Sequence, residues 1–176
     1  MEKIVFYSGK KLDFCVLDKE RHLANCLKWI NSQEINKFLL AGYFPLSPAE
    51  EEKWFDNHGQ DNKNIVFALE TKENKHIGNI GLHKIDWIAG TAEMGIVIGE
   101  KEEWRKGYGS SAEAMMLTYA FRQINLRKVY GKIMAPNTAS LKAAQKNGAQ
   151  EEGRLKKHLF CDGAFQDVIL MSFFKD

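Results

Sequence analysis

The segment that most constrains this chain is Glu93–Ser111, EMGIVIGEKEEWRKGYGSS. It holds an apolar strand, Gly95–Gly99, then a loop with Arg105, Lys106, Gly107, Tyr108 and Gly109, and then the start of a helix with no spacer between. Glycines let the backbone turn tightly and approach a ligand. A helix start presents free N–H groups and the positive end of its dipole. Arg105 and Lys106 add positive charge at the same place, so the segment predicts a pyrophosphate site built on a strand–loop–helix unit. The bland alternative is a tight turn with nothing bound, and a Gly-x-Gly pair alone does not exclude it.

The rest of the chain supplies the frame for that unit. Leu12–Leu17 reads as a strand. Asp18 caps a helix with Leu23, Leu27 and Ile30 at helical spacing. Ser47, Pro48 and Glu50 spell a capping box, and the acids Glu50–Glu52 read as its solvated first turn. Ile65–Glu70, His76–Ile88 and Ala92–Gly99 read as consecutive strands of an antiparallel meander. Apolar residues at 112, 115, 116, 119, 120 and 124 give a helix from Gly109 to about Asn125 with one buried stripe. Lys128–Met134 is a strand, and Asn137 opens a helix that Gly148 ends. Leu155–Cys161 and Phe165–Phe174 flank Asp162-Gly163, a strong hairpin signal. The expected fold is α/β in the mixed α+β sense: a mostly antiparallel sheet of six to seven strands flanked by about four helices. Its strand–helix–strand unit, Ala92–Met134, should be parallel and right-handed. One domain spans 1–176, with its core over about 12–174.

Composition narrows the partners. Lys and Arg number 25 against 23 Asp and Glu; residues 1–88 carry a net −1 and residues 89–176 a net +3. Neither half has the basic excess of a nucleic-acid or membrane-surface binder. The apolar runs are too short for a membrane span, and the N-terminus lacks the apolar core of a signal peptide. Three scattered cysteines, Cys15, Cys26 and Cys161, fit neither a disulfide framework nor a metal site. A cytoplasmic chain without a metal is the expectation.

Among phosphate binders, a P-loop is excluded because Gly-Lys-Ser/Thr is absent. Gly107-Tyr-Gly-Ser-Ser-Ala112 satisfies the dinucleotide fingerprint, but the following strand, Lys128–Met134, carries no acid for the ribose. A dinucleotide-binding protein is disfavoured on that ground.

WRKGYGSSAEAM resembles the acetyl-CoA signature Gln/Arg-x-x-Gly-x-Gly/Ala of the GCN5-related N-acetyltransferases (GNAT). APNTASLKAAQKNGAQEEGRL is similar to that family's second signature. HLFCDGAFQDVILMSFF resembles the end of the branch containing ribosomal-protein alanine, spermidine and nucleotide-aminosugar N-acetyltransferases. The resemblance implies the GNAT fold and direct acetyl transfer from acetyl-CoA to a primary amine in a ternary complex. It implies that the strand with Ile96, Val97 and Ile98 pairs with the pantetheine arm. Trp104, Arg105, Lys106, Gly107, Tyr108, Gly109, Ser110 and Ser111 would form the pyrophosphate loop, and Asn137 and Ser140 would lie beside the cofactor. Asn137 is equally an ordinary N-cap. Trp104 departs from the signature's Gln or Arg, and Ala144 stands where many members carry a thiolate-protonating Tyr.

Amide formation needs a neutral amine, so a group must accept the ammonium proton. Glu93 is the first candidate and His83, one strand earlier, the second. Asp167 and His158 on the final hairpin are candidates to line the acceptor cleft. Trp29, Phe38, Tyr43, Phe44 and Trp54 belong to the region that shapes the acceptor pocket in the family, and as aromatics they are equally core or cover. Cys161 needs no functional role. The expected acceptor is an amine-bearing small molecule or a protein N-terminus, with a nucleotide aminosugar preferred over the latter and over a polyamine; a homodimer is open. The rival reading from another class is a non-catalytic acyl-CoA sensor, for which the lost Tyr speaks and Glu93 speaks against.

Overall fold

The computed structural model describes residues 2–39 and 43–175. Its strands are β1 Val5–Ser8, β2 Leu12–Val16, β3 Ile65–Thr71, β4 His76–Asp86, β5 Thr91–Ile98, β6 Lys128–Met134, β7 Gln150–Cys161 and β8 Ala164–Phe174. The α-helices are α1 Lys19–Ile30, α2 Gln33–Asn36, α3 Pro48–Asn57, α4 Tyr108–Thr118 and α5 Thr138–Lys146. The strands form one eight-stranded sheet in the order β1-β2-β3-β4-β5-β6-β8-β7. All neighbours are antiparallel except β5 and β6, which are parallel as expected.

The mixed, mostly antiparallel sheet is as the sequence predicts, with eight strands in place of six or seven and five helices in place of four. The added strand is β1, a four-residue edge with exposed Val5 and Phe6 that carries no burial pattern. The added helix is the single turn α2. The helix expected to run from Gly109 to Asn125 stops being α at Thr118 and continues as a π-helical turn, Tyr119–Gln123. Ile124 N–H reaches back five residues to Tyr119 O. The Ser47–Glu50 capping box forms in full. Asp162 and Gly163 both take positive φ, 51° and 76°, as a two-residue hairpin turn requires.

Pairing sets two faces. One carries Leu12, Phe14, Leu69, Ile80, Leu82 and Met94 into a dry core closed by Ala112 and Met116 of α4 and Ala144 of α5. The other carries Asp13, Glu70, Asn79, Gly81, His83, Glu93 and Gly95 beneath α1–α3. Among the described residues, no helix is long and apolar enough to cross a membrane, and no group of three or more His, Cys, Asp or Glu is placed to hold a metal ion.

Candidate active site

The site starts from a break in the sheet. β5 and β6 pair over three residues, Thr91↔Lys128, Ala92↔Val129 and Glu93↔Tyr130. β6 then continues against β8 to Met134, while β5 continues to Ile98 against β4 alone. The two strands separate, and one edge of β5 is left open. Gly99 N–H donates to Ile77 O on β4, so alternation turns the backbone groups of Ile98 and Ile96 toward the open edge. Val97 O faces β4, since a Cβ on Gly78 would lie 2.0 Å from it. Ile96 N–H and O and Ile98 N–H therefore face the open edge.

The loop after β5 is held at both ends. Trp104 Nε1 donates to Ile98 O at 2.7 Å, which gives this departure from the family signature a local structural task. Arg105 (φ 62°) and Gly107 (φ 83°) take left-handed backbone, and Gly107 caps α4. The first intrahelical bond runs from Ser111 N–H to Gly107 O, so the amides of Tyr108, Gly109 and Ser110 lie ahead of the helical ladder and point out of its N-terminus. Lys106 is paired with Glu103 at 2.9 Å. A second cation, Lys11, donates to Lys106 O at 2.8 Å and stands 3.3 Å from where a Gly107 Cβ would be. Lys11 lies 95 residues upstream, and no local pattern marks it.

Asn137 is an N-cap: its Oδ1 accepts from Ser140 N–H at 3.2 Å. Ala144 is 1% exposed and packed in the core, so the position that carries a Tyr in many relatives holds no polar group.

On the polar face, His83 and Glu93 are directly opposed across β4 and β5. Glu93 is buried, and its Oε2 accepts from Lys84 at 2.9 Å and Lys132 at 3.3 Å. Burial pushes its pKa up, but the two ammonium groups outweigh this and hold it below the usual carboxylate range. His83 is built differently. Asn64 Nδ2 donates to both oxygens of Asp61, which turns Asn64 Oδ1 toward His83 Nδ1 at 3.2 Å. An amide oxygen only accepts, so Nδ1 carries the hydrogen and Nε2 keeps its lone pair. Burial lowers the imidazole pKa, with the nearby Glu93 charge opposing, so the ring is neutral at pH 7. The ring lies over a floor without side chains: a Cβ on Gly81 would be 2.8 Å from Nε2, and one on Gly95 3.6 Å from it. Among the described residues Nε2 makes no hydrogen bond.

The remaining candidates separate. Asp167 accepts from Lys157 N–H at 2.8 Å and from Arg154 at 3.3 Å, which fixes the bulge in β7. His158 is exposed on the same strand. Trp29 is core, 2% exposed, and donates to Glu100. Phe38 packs on the small cluster of Met134, Cys161 and Val168. Tyr43, Phe44 and Trp54 are exposed. The reading of Glu50–Glu52 as a wholly solvated turn is corrected at Glu51, which is buried because it sits on the inward face of α3; burial raises its pKa.

Residues 16–150 match the family model described as an acetyltransferase (GNAT) domain. The chain is 30% identical over 155 residues to the uncharacterized N-acetyltransferase p20 of Bacillus licheniformis, with 85% of each covered. It is 28% identical over 145 residues to the spermidine N(1)-acetyltransferase of Vibrio cholerae, covering 81% of this chain and 83% of that one. A crystal structure of the Vibrio cholerae spermidine N-acetyltransferase in complex with CoA and spermine superposes with a TM-score of 0.88 at 27% identity, covering 95% of this chain and 97% of that one. Open β5 edge, glycine loop, helix start and sequence matches agree: this chain belongs to the GNAT acetyltransferase family and is an N-acetyltransferase.

Proposed function

We propose that the chain transfers acetyl from acetyl-CoA directly to a primary amine, with His83 as the group that takes the ammonium proton. The observation that carries this reading is the free Nε2 lone pair of a neutral His83 above the Gly81–Gly95 floor, beside the open edge of β5. Cofactor fit is supported by Ile96 N–H and O and Ile98 N–H on the open edge, the amides of Tyr108 to Ser110, and the cations Arg105 and Lys11 at the loop. A Kd-level test is direct: acetyl-CoA at 100 times its Kd should stabilise the fold by about 2.7 kcal/mol. Gly109→Trp should abolish that shift by filling the mouth of the amide cradle.

In the transfer, the amine nitrogen forms the new N–C bond, the C–S bond breaks, and the electron pair leaves on sulfur. Two protons leave the nitrogen. The first, from the ammonium, passes through His83 Nε2 to solvent before attack. The second, released as the N–C bond forms, is taken by the same Nε2 and neutralises the thiolate, because an imidazolium of pKa below 6.5 is a stronger acid than a thiol near 8.5. This closes the proton balance without the missing Tyr at Ala144. Glu93, held as a carboxylate by two lysines, is a weak base; its charge favours the imidazolium as it forms. His83→Gln should lower kcat by roughly 10²–10⁴ and leave the acetyl-CoA thermal shift intact. Glu93→Gln should cost less. Full activity of His83→Gln on an accepted amine would return the base role to Glu93. An acyl-CoA sensor would show the thermal shift with no CoA release on any amine.

A further inference from the structure

β4 does something unusual one residue past His83. Between His83 and Asp86 its register with β5 slips, and Lys84 sits at φ 50°, in the left-handed region that lysine rarely adopts. Simple alternation would send Lys84 into the dry core. Instead Ile85 takes the core position, 4% exposed, and Lys84 emerges on the polar face with its ammonium on Glu93 Oε2. Bulges re-aim side chains beside active sites, and strained backbone persists where the surroundings hold it in place. Lys132, on β6 just past the point of separation, reaches the same oxygen from the other side. The neighbouring Lys128 is matched singly by Glu152 at 2.5 Å, and His83 is neutral. Two ammonium groups thus share one carboxylate, leaving one surplus positive charge at the mouth between β5 and β6. Lys84 keeps two thirds of its side chain exposed, so donors remain for a ligand.

We propose that Lys84 and Lys132, gathered on Glu93, form a subsite for an anionic group, phosphoryl or carboxylate, that the acceptor carries close to its amine. The inference rests on the acetyl-transfer reading above and specifies its substrate class. A polyamine has no such group, and the surplus charge repels it. An anion-bearing amine is both attracted and oriented, with its amino group toward His83 across the glycine floor.

The test uses the full chain loaded with CoA, and calorimetric binding of four amines: glucosamine, glucosamine 1-phosphate, glucosaminic acid and spermidine. The expected result is at least tenfold tighter binding of the phosphate or the carboxylate than of glucosamine, with spermidine weakest. Which of the two anionic sugars leads identifies the group. Lys132→Gln should remove the preference and Lys132→Arg should keep it. Lys84→Gly should also remove it and Lys84→Arg should keep it, with the acetyl-CoA thermal shift retained in both. Equal binding of glucosamine and its anionic relatives, no binding by either anionic sugar, or tightest binding by spermidine would each overturn the proposal. Loss of the acetyl-CoA thermal shift in the unmodified chain would instead overturn the acetyl-transfer reading, so the two failures are distinguishable.

Discussion

The two faces of the sheet are held by opposite physics. Beneath α4 and α5, Leu12, Phe14, Leu69, Ile80 and Leu82 are essentially inaccessible and pack in one apolar cluster. Beneath α1, the same strands bury Glu70 at 0% exposure, where it accepts from Arg21 at 2.7 and 3.0 Å and from His22 at 2.9 Å. His22 Nδ1 in turn accepts from Asp18 N–H, which fixes Nε2 as the donor. His76 lies close by, bonded to Gly78 O and Asn79. The dry face supplies transfer energy that does not care about direction. The polar face supplies oriented donors and acceptors, each costly to leave unpaired, and the proposed proton acceptor His83 lies on its continuation with Gly81 and Glu93.

Deleting one side chain from each face separates their contributions. Glu70→Ala leaves Arg21 and His22 without their shared acceptor and should cost about 3–5 kcal/mol in denaturant unfolding. Leu82→Ala on the opposite face, on the neighbouring strand β4, should cost about 2–5 kcal/mol by opening a cavity. Because the two sites share no partner, their double variant should be additive within about 0.5 kcal/mol. Strong coupling would mean that the faces do not act independently.

The polar face also responds to pH, and the apolar side chains of the dry face do not. Burial lowers the His76 pKa to about 4, below the 6.5 of the unfolded chain. Between those values the unfolded chain binds a proton that the folded one excludes, so the His76 contribution to stability falls as pH drops from about 6.5 toward 4, by up to ~1.4 kcal/mol per unit, while Glu113, raised to about 7 by burial, contributes in the opposite sense between about 7 and 4.5. Glu70, with its pKa lowered below 4.5 by Arg21 and His22 against a burial penalty, adds a further loss as pH falls through its folded value. His76→Asn should flatten the upper part of the profile, while Leu82→Ala should shift the whole profile without changing its slope. The smallest effect belongs to the cap of α5: Asn137→Ala should cost about 1 kcal/mol. A loss of acetyl-CoA affinity in that variant beyond what the destabilisation explains would add a ligand contact to the cap.

Much of this was readable from local chemistry. The capping box at Ser47, the cap at Asn137, the Asp162-Gly163 turn and the bounds of β6 all depend on residues close in sequence. So does the glycine loop after β5, and the family signatures extend from it. What escaped depends on distant partners or on backbone detail. Lys11 reaches the loop only through the fold. The orientation of His83 is set by Asn64 and Asp61, on the segment before β3. The two lysines on Glu93 come from a bulge and from a strand more than thirty residues on. Ala144 looks from the sequence like a site where a hydroxyl could be restored, yet it is closed by core packing, so Ala144→Tyr would overpack the dry face before it tested any proton transfer.

The strand order also has a temporal meaning. From β1 to β6 spatial order follows chain order, so each strand can add to the edge left by the one before it, with helical connections between β2 and β3 and before the parallel β6. The last two strands invert this rule: β8 sits between β6 and β7, although β7 is made first. β7 therefore has no place on the sheet until its own hairpin has closed and β8 has docked along β6. That step brings together segments far apart in sequence, which makes it the slow kind of contact in folding. Until it is complete, the β6 side of the cleft has no backing strand, so completion of the cleft coincides with the final zippering of the chain.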